Sequence, residues 1–321
     1  MAVKKIGVLT SGGDASGMNA AIRAVVRFAL YQKMDVAGIL RGYEGLINEE
    51  IISINHRFVS NIINRGGTIL KTARSEEFMT EAGQRKAVEV IKKNKIDGLI
   101  LIGGDGTYRG GQILSTKWKI PCVGVPGTID NDLNGTDWTI GVDTAVNVAL
   151  DAIDKVRDTA TSMERIFVVE VMGRESGFIA IQVALGSGSE EVLIPERKFD
   201  IQSMCHEIVE GNLRGKVSWI IITAEGAIKA HELAQKITEN TDLETRVVVL
   251  GHVQRGGSPT AQDRNLATRL GVAAVELLLK GETGKAVGMV ADKLNVVSFE
   301  EAVKPKTIKV DEFYRLIKVI T

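Results

Sequence analysis

The sequence predicts an α/β chain of two doubly wound, three-layer domains with largely parallel sheets, and three observations carry that expectation. Its 321 residues exceed what one small core accommodates and suit two α/β domains of ordinary size. Short apolar runs of strand type recur at 6–9, 98–102, 122–125, 166–171, 192–194, 219–222 and 247–250. They are nearly continuous rather than alternating, as strands covered on both faces should be. Between them lie amphipathic stretches of helical length at 20–32, 84–93, 144–159, 201–213, 232–239 and 261–279. Strand alternating with helix makes a largely parallel sheet with helices on both sides. No short-period repeat, low-complexity linker or Pro/Ser-rich seam interrupts the pattern, so the chain is expected to cross between domains more than once.

Composition narrows the function. Lys plus Arg equals Asp plus Glu at 40 each, so no global positive field exists to hold a nucleic-acid backbone or an anionic membrane surface. Any anion site must be local. The N-terminus runs from Met1 straight into the first strand-like run, and no later stretch approaches the ~20 apolar residues of a membrane span. A soluble, cytoplasmic protein is the expectation. Cys122 and Cys205 stand far apart and in no metal-ligand spacing, which argues against a disulfide framework or zinc site and for two buried small hydrophobes.

In open α/β sheets, ligands gather at the carboxyl ends of strands, where loop glycines and helix amides are available. Three motifs occupy that position. Thr10-Ser11-Gly12-Gly13-Asp14-Ala15-Ser16-Gly17-Met18-Asn19 follows the first strand and opens a helix. Its glycines let backbone amides approach a polyphosphate, though a tight strand-to-helix turn reads the same way. The spacing is neither the dinucleotide G-x-G-x-x-G nor a P-loop. The stretch 281–286, with Gly284-Lys285, lacks the P-loop spacing and hydroxyl residue and reads as a surface turn. Gly103-Gly104-Asp105-Gly106-Thr107 follows the second apolar run directly. Asp105 fits a divalent cation bridging a phosphate chain, or the cap of the next helix. Pro126-Gly127-Thr128-Ile129-Asp130-Asn131-Asp132 follows the third run. Residues two apart can share a side, so Asp130 and Asp132 can serve one pocket, one accepting a proton from an alcohol. Turn-favouring Asp and Asn are the ordinary alternative.

Taken with Met172-Gly173-Arg174 and Leu250-Gly251-His252-Val253-Gln254-Arg255-Gly256-Gly257-Ser258-Pro259, the second and third motifs resemble the bacterial ATP-dependent 6-phosphofructokinases. The resemblance runs in order over essentially the whole chain. It implies the phosphofructokinase fold, with a larger ATP-binding domain at 1–140 and 253–303 and a smaller sugar-phosphate domain at 141–252 and 304–321, assembled as a homotetramer. The implied reaction moves a phosphoryl group from MgATP to the 1-hydroxyl of fructose 6-phosphate. Asp130 is then the catalytic base, Asp105 the Mg²⁺ ligand and Asp132 its helper. Gly13, Arg74, Ser75, Gly104, Gly106 and Thr107 look like ATP contacts. Thr128, Ile129, Met172, Gly173, Arg174, Glu225, His252, Val253, Gln254 and Arg255 look like sugar-phosphate contacts. Arg74 and Arg174 neutralise the transferring group, with Thr128 donating into the same place. Arg165 and Arg246 resemble residues reaching in from a neighbouring subunit. Such a substrate wants arginine forks at its dianion and Glu or His beside its hydroxyls, which agrees.

The pyrophosphate-dependent branch commonly has Asp at Gly106 and Lys at Gly127; both glycines here favour ATP. Arg23 and Arg27, four apart on one helix face, together with Arg157, Gly188, Ser189, Glu190, Arg214 and Lys216, resemble the family's effector site for ADP or phosphoenolpyruvate. Three departures are visible. Val217 replaces a second basic residue, the basic position near His56 and Arg57 has no certain match, and Ser16 replaces the usual proline, which is expected to loosen that turn slightly. Rival readings are an NAD or lipid kinase, a dinucleotide-dependent dehydrogenase and a nucleotide-binding regulatory subunit. The first leaves 126–132 and 252–259 unexplained, the second lacks its fingerprint, and the third has no need of Asp105, Asp130 and Arg174.

Overall fold

The computed structural model describes residues 3–306, 308 and 310–320. Two compact units emerge, Met1–Thr144 with Arg255–Lys306 and Ala145–Gln254 with Thr307–Thr321. The first unit is built from β1 (Lys5–Ser11), α1 (Met18–Tyr31), β2 (Asp35–Ile39), α2 (Gly42–Ile47), β3 (Ile51–Ile54), α3 (Glu81–Lys93), β4 (Gly98–Gly103), α4 (Asp105–Thr116) and β5 (Cys122–Pro126). Helix α5 (Val142–Met163) leads into the second unit, which continues as β6 (Ile166–Val171), α6 (Phe178–Ser187), β7 (Glu191–Leu193), α7 (Ile201–Leu213), β8 (Trp219–Ala224), α8 (Ala230–Thr241) and β9 (Thr245–Val249). The chain returns to the first unit through α9 (Ala261–Leu279), β10 (Lys285–Val290), β11 (Lys293–Ser298) and α10 (Phe299–Ala302), and α11 (Val310–Ile320) belongs to the second.

Among the described residues, the first unit holds a seven-stranded sheet in the order β11-β10-β5-β4-β1-β2-β3, antiparallel only at its two outer pairs. The second holds a parallel sheet, β7-β8-β6-β9. Strand β4, apolar throughout, and β6, apolar but for Glu170, are buried along their whole length, because helices cover both faces. Leu9, Leu99, Leu101 and Cys122 face a core shared with α2, α3, α4 and α10. On the other side α1 packs against α9 so closely that a Cβ on Gly271 would lie 2.8 Å from Ala24 Cβ. A separate apolar core lies under α7 and α8 in the second unit. Both cysteines are free thiols in these interiors, and burial pushes the Cys122 thiol far up. Among the described residues no helix is long and apolar enough to cross a membrane.

Several elements escaped the apolar-run reading. Strands β10 and β11 meet at Ala291-Asp292, both with positive φ, a tight hairpin turn without the Gly or Asn that signals one. The stretch 281–286 is accordingly a turn only as far as Gly284; Lys285 and Ala286 already pair with Val123 and Gly124 in the sheet. Helix α6 is apolar almost all round, so it offers no helical period to detect.

Two helix starts are joined around one carboxylate. Asp263 accepts from Gly141 N at 2.7 Å, Thr144 N at 2.8 Å and Thr144 Oγ1 at 2.5 Å, while Thr260, which caps α9, donates to Asp143 Oδ2 at 2.6 Å. Burial outweighs these bonds and pushes the Asp263 pKa up to about 6. A carboxyl raised above its unfolded value contributes stability at low pH and loses it as pH rises through about 6. Wild type should therefore gain on Asp263→Asn, by about 1–3 kcal/mol in urea unfolding, as pH falls from about 8 to about 5. A difference independent of pH would refute the shift.

Candidate active site

In the first unit three loops leave the carboxyl ends of neighbouring parallel strands. Register fixes their proximity, because Ser11 pairs with Gly103 and Gly103 with Pro126. The loop after β1 is held from outside by Thr72 Oγ1, which donates to Gly12 O at 2.7 Å, and by Arg255 Nη1, which donates to Asp14 O at 3.1 Å. The Arg255 guanidinium lies against Gly13, where a Cβ would sit 2.5 Å from Nη1. A larger residue there would push the guanidinium aside.

After β4, Gly104 precedes α4 and Asp105 begins it. The Asp105 side chain is 41% exposed, with Arg109 Nε 3.8 Å away. Thr107 is committed to the scaffold: its hydroxyl donates to Ser11 O at 3.0 Å and its carbonyl accepts from Tyr43 OH at 2.6 Å. What this loop can offer a phosphate is the backbone N–H of Gly106 and Thr107, which lie in the first helical turn and have no intrahelical acceptor. A Cβ on Gly106 would meet nothing within 4 Å, whereas one on Gly127 would lie 3.0 Å from Ile102 Cγ2. Packing thus crowds the second glycine and leaves space at the first.

The loop after β5 touches its neighbour, since a Cβ on Gly104 would lie 3.4 Å from Thr128 Cβ. Thr128 Oγ1 accepts from Asp130 N at 3.2 Å, and Thr139 Oγ1 donates to Thr128 O at 2.6 Å. Asn131 takes a left-handed conformation, φ 51°, held by Thr139 N and Asp137 O. Asp130 is 3% exposed and Ile129 fully buried, while Asp132 is half-buried. Lys306, which no motif announced, donates to Thr136 O at 2.8 Å. Burial lowers its pKa to about 8 against the opposing pull of Asp137 and Asp132. Arg74 is exposed, and the Ser75 hydroxyl accepts from Phe78 N at 3.3 Å.

The second unit presents its residues at two ends of one sheet. At the carboxyl end of β6, Gly173 N and Arg174 N donate to Glu225 Oε1 at 3.2 and 2.9 Å, and Met172 N donates to the buried Gln254 Oε1 at 2.9 Å. Arg174, itself left-handed at φ 52°, is exposed, as are His252 and Val253. Arg165 and Arg246 lie at the opposite end, one just before β6 and the other near the start of β9, with Phe167 paired to Arg246. Six strand residues at about 3.3 Å each separate the ends by about 20 Å. Glu244 holds both arginines, accepting from Arg165 Nε at 2.8 Å and pairing with Arg246. Nothing in the sequence marks Glu244 except its place beside Thr245.

The residues assigned to an effector fall in both units. Arg27 of α1 donates to His56 O at 3.2 Å, and Arg23 lies one turn away, half-buried. In the second unit Arg157 donates to Ser187 O and Gly188 O at 2.8 and 3.1 Å, and the Ser187 and Ser189 hydroxyls are 2.6 Å apart. Glu190 accepts from Ile220 N at 2.7 Å and pairs with Lys216 at 3.3 Å, whose Nζ sits over the Trp219 ring. Arg214 is exposed on α7's end beside Glu210.

Helix-start amides on one loop and a buried carboxyl on the next strand's loop suit the movement of a phosphoryl group, and an α/β phosphotransferase is the class this arrangement defines. The family described as Phosphofructokinase matches residues 5–278. A Clostridium novyi protein named ATP-dependent 6-phosphofructokinase is 52% identical over 319 residues, 99% of this chain and 100% of that one. A Bacillus velezensis protein of the same name is 53% identical over 319 residues, with the same coverage. The phosphofructokinase structure from Saccharomyces cerevisiae superposes at a TM-score of 0.87 and 36% identity, over 94% of this chain and 45% of that one. The chain belongs to the phosphofructokinase family, among its ATP-dependent 6-phosphofructokinases.

Glu225 is the acceptor on which the Gly173-Arg174 turn depends. Replacing it with alanine should speed hydrogen exchange at both amides about tenfold or more and cost about 1–3 kcal/mol. Unchanged exchange at Gly173 and Arg174 would show that another group holds the turn.

Proposed function

We propose that this cytoplasmic enzyme transfers the terminal phosphoryl group of MgATP to the 1-hydroxyl of fructose 6-phosphate, yielding fructose 1,6-bisphosphate and ADP in glycolysis. The observation that supports it best is the side-by-side emergence of 103–107 and 126–132 from adjacent strands, with Gly104 against Thr128 two residues before Asp130. Gly13, Gly104, Gly106 and Thr107 receive the nucleotide phosphates through backbone, and Arg74 and Ser75 border them. Asp130 accepts the proton of the attacking hydroxyl, with Thr128 beside it. Buried as it is, the Asp130 carboxyl exchanges water for fixed protein dipoles before the reaction begins. Arg74 and Arg174 balance charge on the transferring group. Met172, Gly173, Arg174, Glu225, His252, Val253, Gln254 and Arg255 bind the sugar phosphate; Glu225 and Gln254 do so in part by fixing the turn that carries Arg174.

Asp105 and Asp132 are hard oxygen donors on neighbouring loops, the kind Mg²⁺ accepts one or two at a time. Bound there, Mg²⁺ supplies charge neutralisation for the polyphosphate. The open space before Gly106 favours ATP as the donor.

Arg165 and Arg246 lie at the far end of the sheet from Arg174, so they suit the sugar-phosphate site of a neighbouring copy, and a homotetramer is the assembly proposed. Regulation by ADP and phosphoenolpyruvate through Arg23, Arg27, Arg157, Gly188, Ser189, Glu190, Arg214 and Lys216 is part of the same reading. Such effectors act by binding one assembly state more tightly than another. Saturation curves for fructose 6-phosphate should shift with each effector; curves that ignore both would reject the regulatory part.

The direct test is a coupled assay with fructose 6-phosphate and either ATP or pyrophosphate. ATP should support turnover and pyrophosphate almost none; equal rates would count against the donor assignment. Asp130→Ser should lower kcat by ~10² to 10⁴ while sugar-phosphate binding persists. Near-wild-type turnover in that variant would remove Asp130 from the role of base.

A further inference from the structure

Ser16 replaces the proline that the family resemblance leads one to expect, and its hydroxyl is bonded to a distant turn. The residue is 1% exposed. Its Oγ lies 3.3 Å from Arg255 O, 3.1 Å from Gly256 O and 2.9 Å from Gly257 O. One hydroxyl proton thus faces three carbonyl oxygens of a single turn. Carbonyl dipoles aimed at a common point repel one another, and a donor at that point is what stabilises their convergence. Proline has no proton to place there.

The same two segments are tied in the other direction. Arg255 Nη1 donates to Asp14 O at 3.1 Å and its guanidinium covers Gly13. Two residues of the 14–16 stretch therefore bond two parts of the 255–257 turn, its backbone and its one cationic side chain.

We propose that Ser16 is a positioning residue that locks the Arg255–Gly257 turn onto the first phosphate loop and so holds the Arg255 guanidinium ready for the sugar phosphate. The inference rests on the function proposed above, in which Arg255 serves the sugar phosphate and Gly13 the nucleotide. Ser16 acts only through the backbone of Arg255 and its two neighbours. Loosening that tie weakens ground-state binding of the sugar phosphate and leaves the chemical step intact.

The test compares wild type with Ser16→Ala and Ser16→Pro, using steady-state kinetics and the rate at which phenylglyoxal modifies Arg255, followed by peptide mass. Both variants should raise KM for fructose 6-phosphate roughly three- to tenfold, keep kcat within about twofold and label Arg255 faster. An alanine variant with wild-type KM and wild-type labelling overturns the proposal. So does a proline variant that behaves as wild type while alanine is impaired, because backbone stiffness and not the hydrogen bond would then be the cause. If wild type itself fails to phosphorylate fructose 6-phosphate, the functional reading falls, yet the labelling rates still decide whether Ser16 secures Arg255.

Discussion

The register of three parallel strands is the constraint on which the rest depends. Ser11, Gly103 and Pro126 stand side by side at the ends of β1, β4 and β5, so the loops that follow begin a strand spacing apart. Parallel pairing inside two helical layers leaves them no freedom to drift. Thr107 reinforces the alignment by bonding the loop after β4 to the last residue of β1. A side chain that resembles a ligand contact is therefore a brace.

Carboxylates, buried at Glu170 and Glu190 and half-buried at Glu225, perform the corresponding service in the second unit. Glu225 fixes Gly173 and Arg174, Glu190 fixes the start of β8, and Glu170 accepts from Ala230 N at 2.8 Å. Glu225 accepts just past the end of β6 and Glu190 near the start of β8, while Glu170 accepts at the first residue of α8, where no intrahelical acceptor exists. Their cost in desolvation is offset by charge-assisted bonds, which are about twice as strong as neutral ones. Glu244 differs in pairing with two arginines, Arg165 and Arg246.

Much of the fold was legible because its strands are buried on both faces, and such strands are written as unbroken apolar runs. Exceptions have physical causes. Strand β2 breaks its run with the small Ala37 and Gly38, and β3 is interrupted by the exposed Ser53. Strand β11 is largely exposed, so nothing selects an apolar run. The candidate site was legible to the extent that glycine and aspartate motifs sit directly after strands. Glu244, Lys306 and the bonding of Ser16 were not, because each acts on a segment distant in sequence.

The sequence by itself determined the α/β alternation, the local balance of charge and the identity of the groups available for phosphate chemistry, since all three follow from residue type and short-range spacing. Tertiary structure alone decided which of those groups stay accessible and which are consumed by the scaffold. It bound Thr107 to Ser11, put Arg165 and Arg246 at the opposite end of β6 from Arg174, and set the Ser16 hydroxyl against the 255–257 turn. Hydrogen-bond partners are chosen by proximity in space, and in a parallel sheet that proximity is set by strand order, which short-range sequence patterns do not encode.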